Sequence, residues 1–250
     1  MRVRQLARTL TLAGLTTLLL AACGSTSGTS TDTVAGSASS SAPATPATPA
    51  GNGEAAKTGS QVAADAADAL ASATAVHMVG SGTTDGQPMT LDLHLQGSDV
   101  SGTVSMGGQP IDLLATAGKT YMKATAAFWK TQQVPASIAK KLDGTWVIVP
   151  AEAGNPFEEF SLSKLADQLR TPDSTTWQPA VTKGSYQGQD VVVITESDGS
   201  TTQVAATGKP YPLQAVDKGS EPGTLTFSDY GVAVPITAPP SPLDLSTLGG

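Results

Sequence analysis

From Val76 onward, apolar side chains fall at every second position, and that period limits the fold more than any other feature of the chain. Met89, Leu91, Leu93 and Leu95 alternate with Thr90, Asp92, His94 and Gln96, and after Gly97-Ser98-Asp99 residues 100–106 continue the alternation through Val104 and Met106. Gly107-Gly108 turns the chain into Ile111, Leu113 and Ala115, and Ala117-Gly118-Lys119 turns it again into residues 120–124. Side chains two apart share one face of a strand. Runs of about ten residues joined by glycine-bearing turns therefore predict an antiparallel meander with one apolar and one wet face.

Helical spacing brackets and interrupts these strands. Val62, Ala66, Leu70 and Ala73 recur at three or four positions, with Asp65 and Asp68 opposite. A helical stretch at 134–142 and a short strand at 146–149 precede a second helical region. There Asn155-Pro156 reads as an N-cap followed by proline at the first helical position, with Glu158 and Glu159 in the first turn and Arg170 at the close. Phe157, Phe160, Leu165 and Leu169 would form its buried stripe, and Ser161 or Ser163 could restart the helix after a break. Beyond Trp177 the two-residue period returns through Val181 and residues 191–195, 202–206, 213–216 and 224–227. Strands, helices, then strands again predict an α+β domain in which one long antiparallel sheet cups two or three helices. A parallel α/β sheet is disfavoured, because strands and helices do not alternate.

The N-terminus has the layout of an export signal. Arg2, Arg4 and Arg8 form a positive head, and residues 10–22 form an apolar stretch. Thirteen helical residues reach only about 20 Å, short of the ~30 Å hydrocarbon core, so a transmembrane anchor is the weaker reading. The stretch ends in Leu20-Ala21-Ala22-Cys23-Gly24, which resembles the lipobox of bacterial lipoproteins and carries the only cysteine of the 250 residues. That resemblance implies a signal peptide over 1–22, cleavage before Cys23, and attachment of Cys23 to palmitate-type acyl chains that anchor the protein to a membrane. With one sulfur the chain can close no internal disulfide.

Residues 24–60 read as a disordered tether. Thirty-two of these 37 positions are Ala, Gly, Ser, Thr or Pro, and only Asp32, Glu54 and Lys57 are charged. So little apolar surface cannot offset the entropy of ordering. A flexible coil of that length spans roughly 30–35 Å, and the Ala-Thr-Pro repeat around Pro43, Pro46 and Pro49 would extend it further. The organisation expected is thus a signal at 1–22, a lipidated cysteine and tether at 23–60, and one folded domain at 61–250. The domain would sit outside the cytoplasmic membrane, held off its outer face and extending into the cell wall.

Charge and chemistry exclude several functions. Once the three arginines of the signal are removed, 11 basic face 21 acidic side chains, a net charge of −10. Nucleic acid is therefore not an expected partner, since its phosphates require clustered Lys and Arg. His77 and His94 lie among strand residues without a cysteine or a carboxylate at ligand spacing, so no metal site is expected and His94 reads as a solvated imidazole. Ser137-Ile138-Ala139-Lys140 and Ser161-Leu162-Ser163-Lys164 match a Ser-x-x-Lys pattern, but Lys57-Thr58-Gly59 precedes both, in the wrong order for penicillin-interacting enzymes. No nucleophile elbow, phosphate loop or calcium loop is present, so no catalytic residue and no cofactor is expected.

Several strings resemble a known family: Lys119-Thr120-Tyr121-Met122-Lys123, Gly144-Thr145-Trp146-Val147-Ile148-Val149-Pro150, Leu225-Thr226-Phe227-Ser228-Asp229-Tyr230-Gly231, and Val234-Pro235-Ile236-Thr237-Ala238-Pro239-Pro240. Together with the lipobox they resemble the actinobacterial LppX/LprG-type lipoproteins, whose fold is similar to the LolA and LolB carriers. The resemblance covers the layout from about residue 75 to 240. It implies a curved half-barrel closed by helices around an apolar cavity, a lipid or glycolipid ligand, partners among envelope transport proteins, and a monomer that moves lipid rather than catalyses. The side chains expected to line such a cavity are Met89, Leu91, Leu93, Val104, Met106, Ile111 and Leu113 of the sheet with Phe157, Phe160 and Leu165 of the helices. Aliphatic, flexible walls suit acyl chains. The same residues also make an ordinary filled core, which would leave a non-catalytic interaction, scaffold or sensor module of the envelope. The Phe227-Ser228-Asp229-Tyr230-Gly231 string reads as a strand end and turn, with a polar rim for a headgroup as the alternative.

Overall fold

The computed structural model describes residues 50–150 and 160–245. Cys23, the export signal, most of the tether, and the Asn155-Pro156 cap with Phe157 lie outside these residues. The elements in chain order are α1 (Gly59–Ala71), β1 (Val76–Thr84), β2 (Gln87–Gln96), β3 (Asp99–Met106), β4 (Gln109–Thr116), β5 (Lys119–Ala124), α2 (Ala126–Thr131), α3 (Ala136–Leu142), β6 (Trp146–Val149), α4 (Leu162–Arg170), β7 (Thr182–Tyr186), β8 (Gln189–Thr195), β9 (Thr201–Ala205), β10 (Pro212–Asp217), β11 (Gly223–Ser228) and β12 (Leu243–Asp244). All twelve strands join one sheet in the order β12-β6-β5-β4-β3-β2-β1-β11-β10-β9-β8-β7. The sheet is curved and unclosed, an α+β half-barrel as expected, with four helices among the described residues rather than two or three.

The hairpins form where the sequence supplies residues that accept a left-handed backbone. Asp85-Gly86, Gly107-Gly108, Ala117-Gly118 and Gln187-Gly188 each hold two successive positive φ angles. Two-residue turns of that kind match the right-handed twist of the strands they join. They fix the register and, through it, which face each side chain takes.

On the inner face, cross-strand partners make continuous apolar rows. One runs Phe227, Met78, Leu93, Gly102, Leu113, Met122, Val147, and the next runs Leu225, Gly80, Leu91, Val104, Ile111, Ala124. A side chain at Gly80 has no room, because its Cβ would lie 2.5 Å from Leu225 Cδ2 and 3.1 Å from the Leu91 Cγ. The two leucines therefore close over the glycine. These rows pack with Trp129 of α2, Ala139 and Leu142 of α3, and Leu162 and Ala166 of α4 into the larger core. A smaller core joins Val62, Ala63 and Ala66 of α1 to Val192, Ile194 and Val204 of β8 and β9.

Helix ends are set locally. Gln61 Oε1 accepts the backbone N–H of Thr58 at 3.0 Å, the return half of a capping box at the start of α1. Ser161 Oγ accepts from the Lys164 backbone at 3.4 Å, so α4 begins at the serine where a restart was foreseen. Arg170 at its other end pairs with Asp167 and reaches Asp68 of α1.

The folded part begins earlier than residue 61. Gly51 bridges Thr207, Asn52 Nδ2 donates to the Ala205 carbonyl at 2.9 Å, and Glu54–Ala56 forms a 3-10 turn with Glu54 buried. Lys57 Nζ lies 2.8 Å from Glu54 and 2.6 Å from Asp65. Composition assigned these residues to the tether, but a few specific polar contacts hold them to β9 and α1.

At the other end, residues 229–242 form a strap past six strands to β12, which pairs parallel to β6. Gly231 N–H donates to the Ala75 carbonyl, and the Gln96 side chain both accepts from Val234 N–H and donates to its carbonyl.

Candidate functional site

Five of the sheet residues expected to line a cavity meet on the inner face and are buried in one cluster: Leu91, Leu93, Val104, Ile111 and Leu113. Met89, Phe160 and Leu165 pack against that cluster but stay partly exposed, as do Met122, Phe128 and Ile138. Met106 departs from expectation. It ends β3 beside the Gly107-Gly108 turn, keeps 46% of its surface in contact with solvent and stands outside the cluster. Period-two reading assigns the face correctly, but cannot tell how far along the strand the helices reach. Phe157 lies outside the described residues.

The interior therefore consists of a tightly buried aliphatic floor with a fringe of flexible, half-covered side chains. Among the described residues the one buried charged side chain is Glu54, which lies outside that floor. Tyr230, at the Ser228-Asp229-Tyr230-Gly231 turn, stacks on Tyr211 with ring centroids 3.9 Å apart and donates its hydroxyl to the Pro212 carbonyl. Burial pushes its phenol well above the ordinary value. The string thus fastens a strand end, as the simpler reading held. Trp177 also packs, donating its indole N–H to the Leu169 carbonyl at 3.0 Å, and Trp129 is buried.

The outer face is a polar lattice. In one cross-strand row Thr226, Val79, Asp92, Thr103, Asp112, Lys123 and Trp146 follow one another. Thr103 donates to Asp112 at 3.0 Å, Lys123 pairs with Asp112 at 2.7 Å, and the same ammonium lies 5.2 Å from the Trp146 ring centre. A hollow of about 440 Å³ opens on this face, lined by Val79, Ser81, Thr90, Asp92, Thr103, Thr224 and Thr226.

Both histidines stand in the neighbouring row of the same face, Ser228, His77, His94 and Ser101, and the sequence reading missed their meeting. His77 and His94 are register partners across β1 and β2, with rings stacked 4.3 Å apart. Asp92 Oδ1 lies 2.7 Å from His77 Nε2. The signal was present: a two-residue turn at Asp85-Gly86 makes residues eight positions out on either side opposite one another.

No known family profile matches the sequence, and no curated protein matches it. Solved structures do. LprF from Mycobacterium bovis superposes with a TM-score of 0.52 at 16% identity, over 73% of this chain and 99% of that one. The lipoprotein LppX from Mycobacterium tuberculosis gives 0.46 at 16% identity, over 72% of this chain and 98% of that one. Identity this low speaks to architecture. The twelve-stranded open sheet and the LprF match agree with the short strings noted in the sequence: the fold is the half-barrel of the LppX/LprG-type lipoproteins.

Proposed function

We propose that the domain binds lipid or glycolipid acyl chains against the inner face of its sheet and carries them within the cell envelope, without catalysis. The observation that carries this reading is the fringe of half-exposed aliphatic and aromatic side chains, Met89, Met122, Ile138, Phe160 and Leu165, bordering a wholly apolar floor on an unclosed sheet. Methionine and leucine re-pack around a hydrocarbon at low cost, and each methylene that leaves water for such a wall contributes about 0.8 kcal/mol. The LprF and LppX lipoproteins share the architecture. Acylated Cys23 would anchor the chain to the outer face of the cytoplasmic membrane, and the tether up to about residue 50 would let a monomeric cup swing between bilayer and acceptor protein.

A second reading has its own support. Leu91, Leu93, Val104, Ile111 and Leu113 are each at most 6% exposed, and Leu225 and Leu91 fill the space above Gly80. A sheet packed in this way could serve as an interaction or sensor module with no ligand.

Native mass spectrometry separates the two. The full chain carrying Cys23→Ser, purified from an actinobacterial host, is expected to retain one lipid that Leu165→Asp loses while circular dichroism stays unchanged. A lipid-free mass that takes up no added diacyl or triacyl lipid would leave the interaction module as the account.

A further inference from the structure

We propose that His77, His94 and Asp92 form a binding site for a divalent transition-metal ion, on the face of the sheet opposite the lipid-facing one. It does not depend on the lipid reading. The chain contains two histidines in 250 residues, and the fold places them side by side. One ligand atom from each of His77, Asp92 and His94 lies within 4.8 Å of the others.

His77 has polar groups at both ring nitrogens. Its Nε2 faces the Asp92 carboxylate at 2.7 Å, and its Nδ1 faces both the Asp229 carboxylate and the Ser228 hydroxyl, each at 3.4 Å. A neutral imidazole has one N–H and one lone pair. Nδ1 has a partner in either tautomer, the Ser228 hydroxyl for its lone pair or the Asp229 carboxylate for its N–H, so Nε2 is free to present a lone pair to a metal ion. With the proton on Nδ1, held by Asp229, the Nε2 lone pair and Asp92 Oδ1 converge on a shared position. That is the carboxylate–histidine–metal relay by which an outer carboxylate fixes the tautomer of a ligating ring. Asp229 adopts a left-handed backbone, φ 51°, in the tight turn after β11 that brings its carboxylate to the ring.

Two imidazoles and one carboxylate favour zinc or copper over calcium or magnesium, which prefer all-oxygen shells. Zinc needs nitrogens at about 2.0–2.1 Å, with its donors a little over 3 Å apart, so modest side-chain rotations of His94 and Asp92 would complete three ligands. A fourth position would remain open to solvent beside the outer hollow, which Asp92 also lines.

The test is titration of zinc chloride into the full chain carrying Cys23→Ser, which removes the only thiol. Because there are two histidines, the imidazole region of the proton NMR spectrum holds two sets of signals. One equivalent of zinc is expected to shift both sets in parallel, with calorimetry giving a dissociation constant in the micromolar range. His94→Gln is expected to weaken binding at least tenfold and Asp92→Asn several-fold, while Asp190→Asn on β8 changes nothing. A zinc response confined to one ring, or an unchanged affinity in a folded His94→Gln variant, would overturn the site. So would the absence of any shift at millimolar zinc.

Discussion

The two cores of this one sheet are built from different side chains. Where α1 meets β8 and β9, Val62, Ala63, Ala66, Val192, Ile194 and Val204 have no accessible surface at all. Alanines let the helix settle close to the strands, and its first turn abuts the connection before β7, where a Cβ at Gly59 would lie 2.2 Å from the Gln178 carbonyl oxygen. The larger core beneath β1–β6 adds leucines, Met78, Ile111, Trp129 and Phe227 to its alanines and valines, and its border carries long, half-covered side chains such as Met89, Met122, Phe160 and Leu165. Short, stiff side chains at close range make a unit with one arrangement, whereas long flexible ones with a free edge can re-pack. On this contrast the smaller core acts as the clamp and the larger one as the adaptable surface.

The sharpest break of that contrast is Ile194→Ala. Removing a fully buried isoleucine from a core that cannot collapse is expected to cost about 3 kcal/mol, read as a lowered urea midpoint, with any bound lipid retained by the folded fraction. Next comes Gly102→Ala in the larger half, where an added Cβ would sit 2.0 Å from the Asp92 carbonyl oxygen at φ 149°. Strain and forced separation of β2 from β3 should cost about 2 kcal/mol and should also weaken zinc binding by displacing Asp92. Leu165→Ala on the fringe is expected to cost only about 1 kcal/mol, because its site is already part open, yet to reduce lipid retention. Equal stability losses at Ile194 and Leu165 would erase the distinction between the two cores.

Much of this was legible in the sequence because period and turn chemistry are local. The alternation through Leu91, Leu93 and Leu95 gave the inner face, residues 146–149 emerged as β6 with the bounds read from sequence, and Ser161 was recognised as a place for a helix to restart. What escaped depended on distant partners. β7, Thr182–Tyr186, has no residue classed as buried and pairs only at the sheet edge, so it lacks an apolar signature. Glu54 and Lys57 looked like tether because composition carries no record of Asp65 waiting on α1. Met106 had the correct period but stands where no helix covers it. His77 and His94 are 17 positions apart, and nothing but the strand register joins them. Faces are written in a single strand; coverage and cross-strand chemistry are written only in the assembly.

The smallest effect expected concerns residues 51–57, which pack against β9 and α1. Lys57 is held above its ordinary value of 10.5, first by its hydrogen bond to Asp65 and then by the one to Glu54. A lysine whose folded value is raised lends stability that is fully present below its unfolded value and fades as pH climbs through the folded one. The attachment of residues 51–57 should therefore persist through neutral and mildly alkaline solution and loosen only above about pH 10.5. Because Lys57 and Asp65 are both a little over a third exposed on their side chains, solvent screens the pair and global stability should hardly move. The reading to take is local: limited proteolysis between Gly51 and Thr58 should accelerate in strong alkali in the wild type. Lys57→Met should cut at one fast rate at every pH, since it leaves Glu54 buried without its cation. If the wild type and Lys57→Met are cleaved alike at neutral pH, the ion pair is not what holds this segment, and the contacts of Gly51 and Asn52 with residues 205–208 hold it alone.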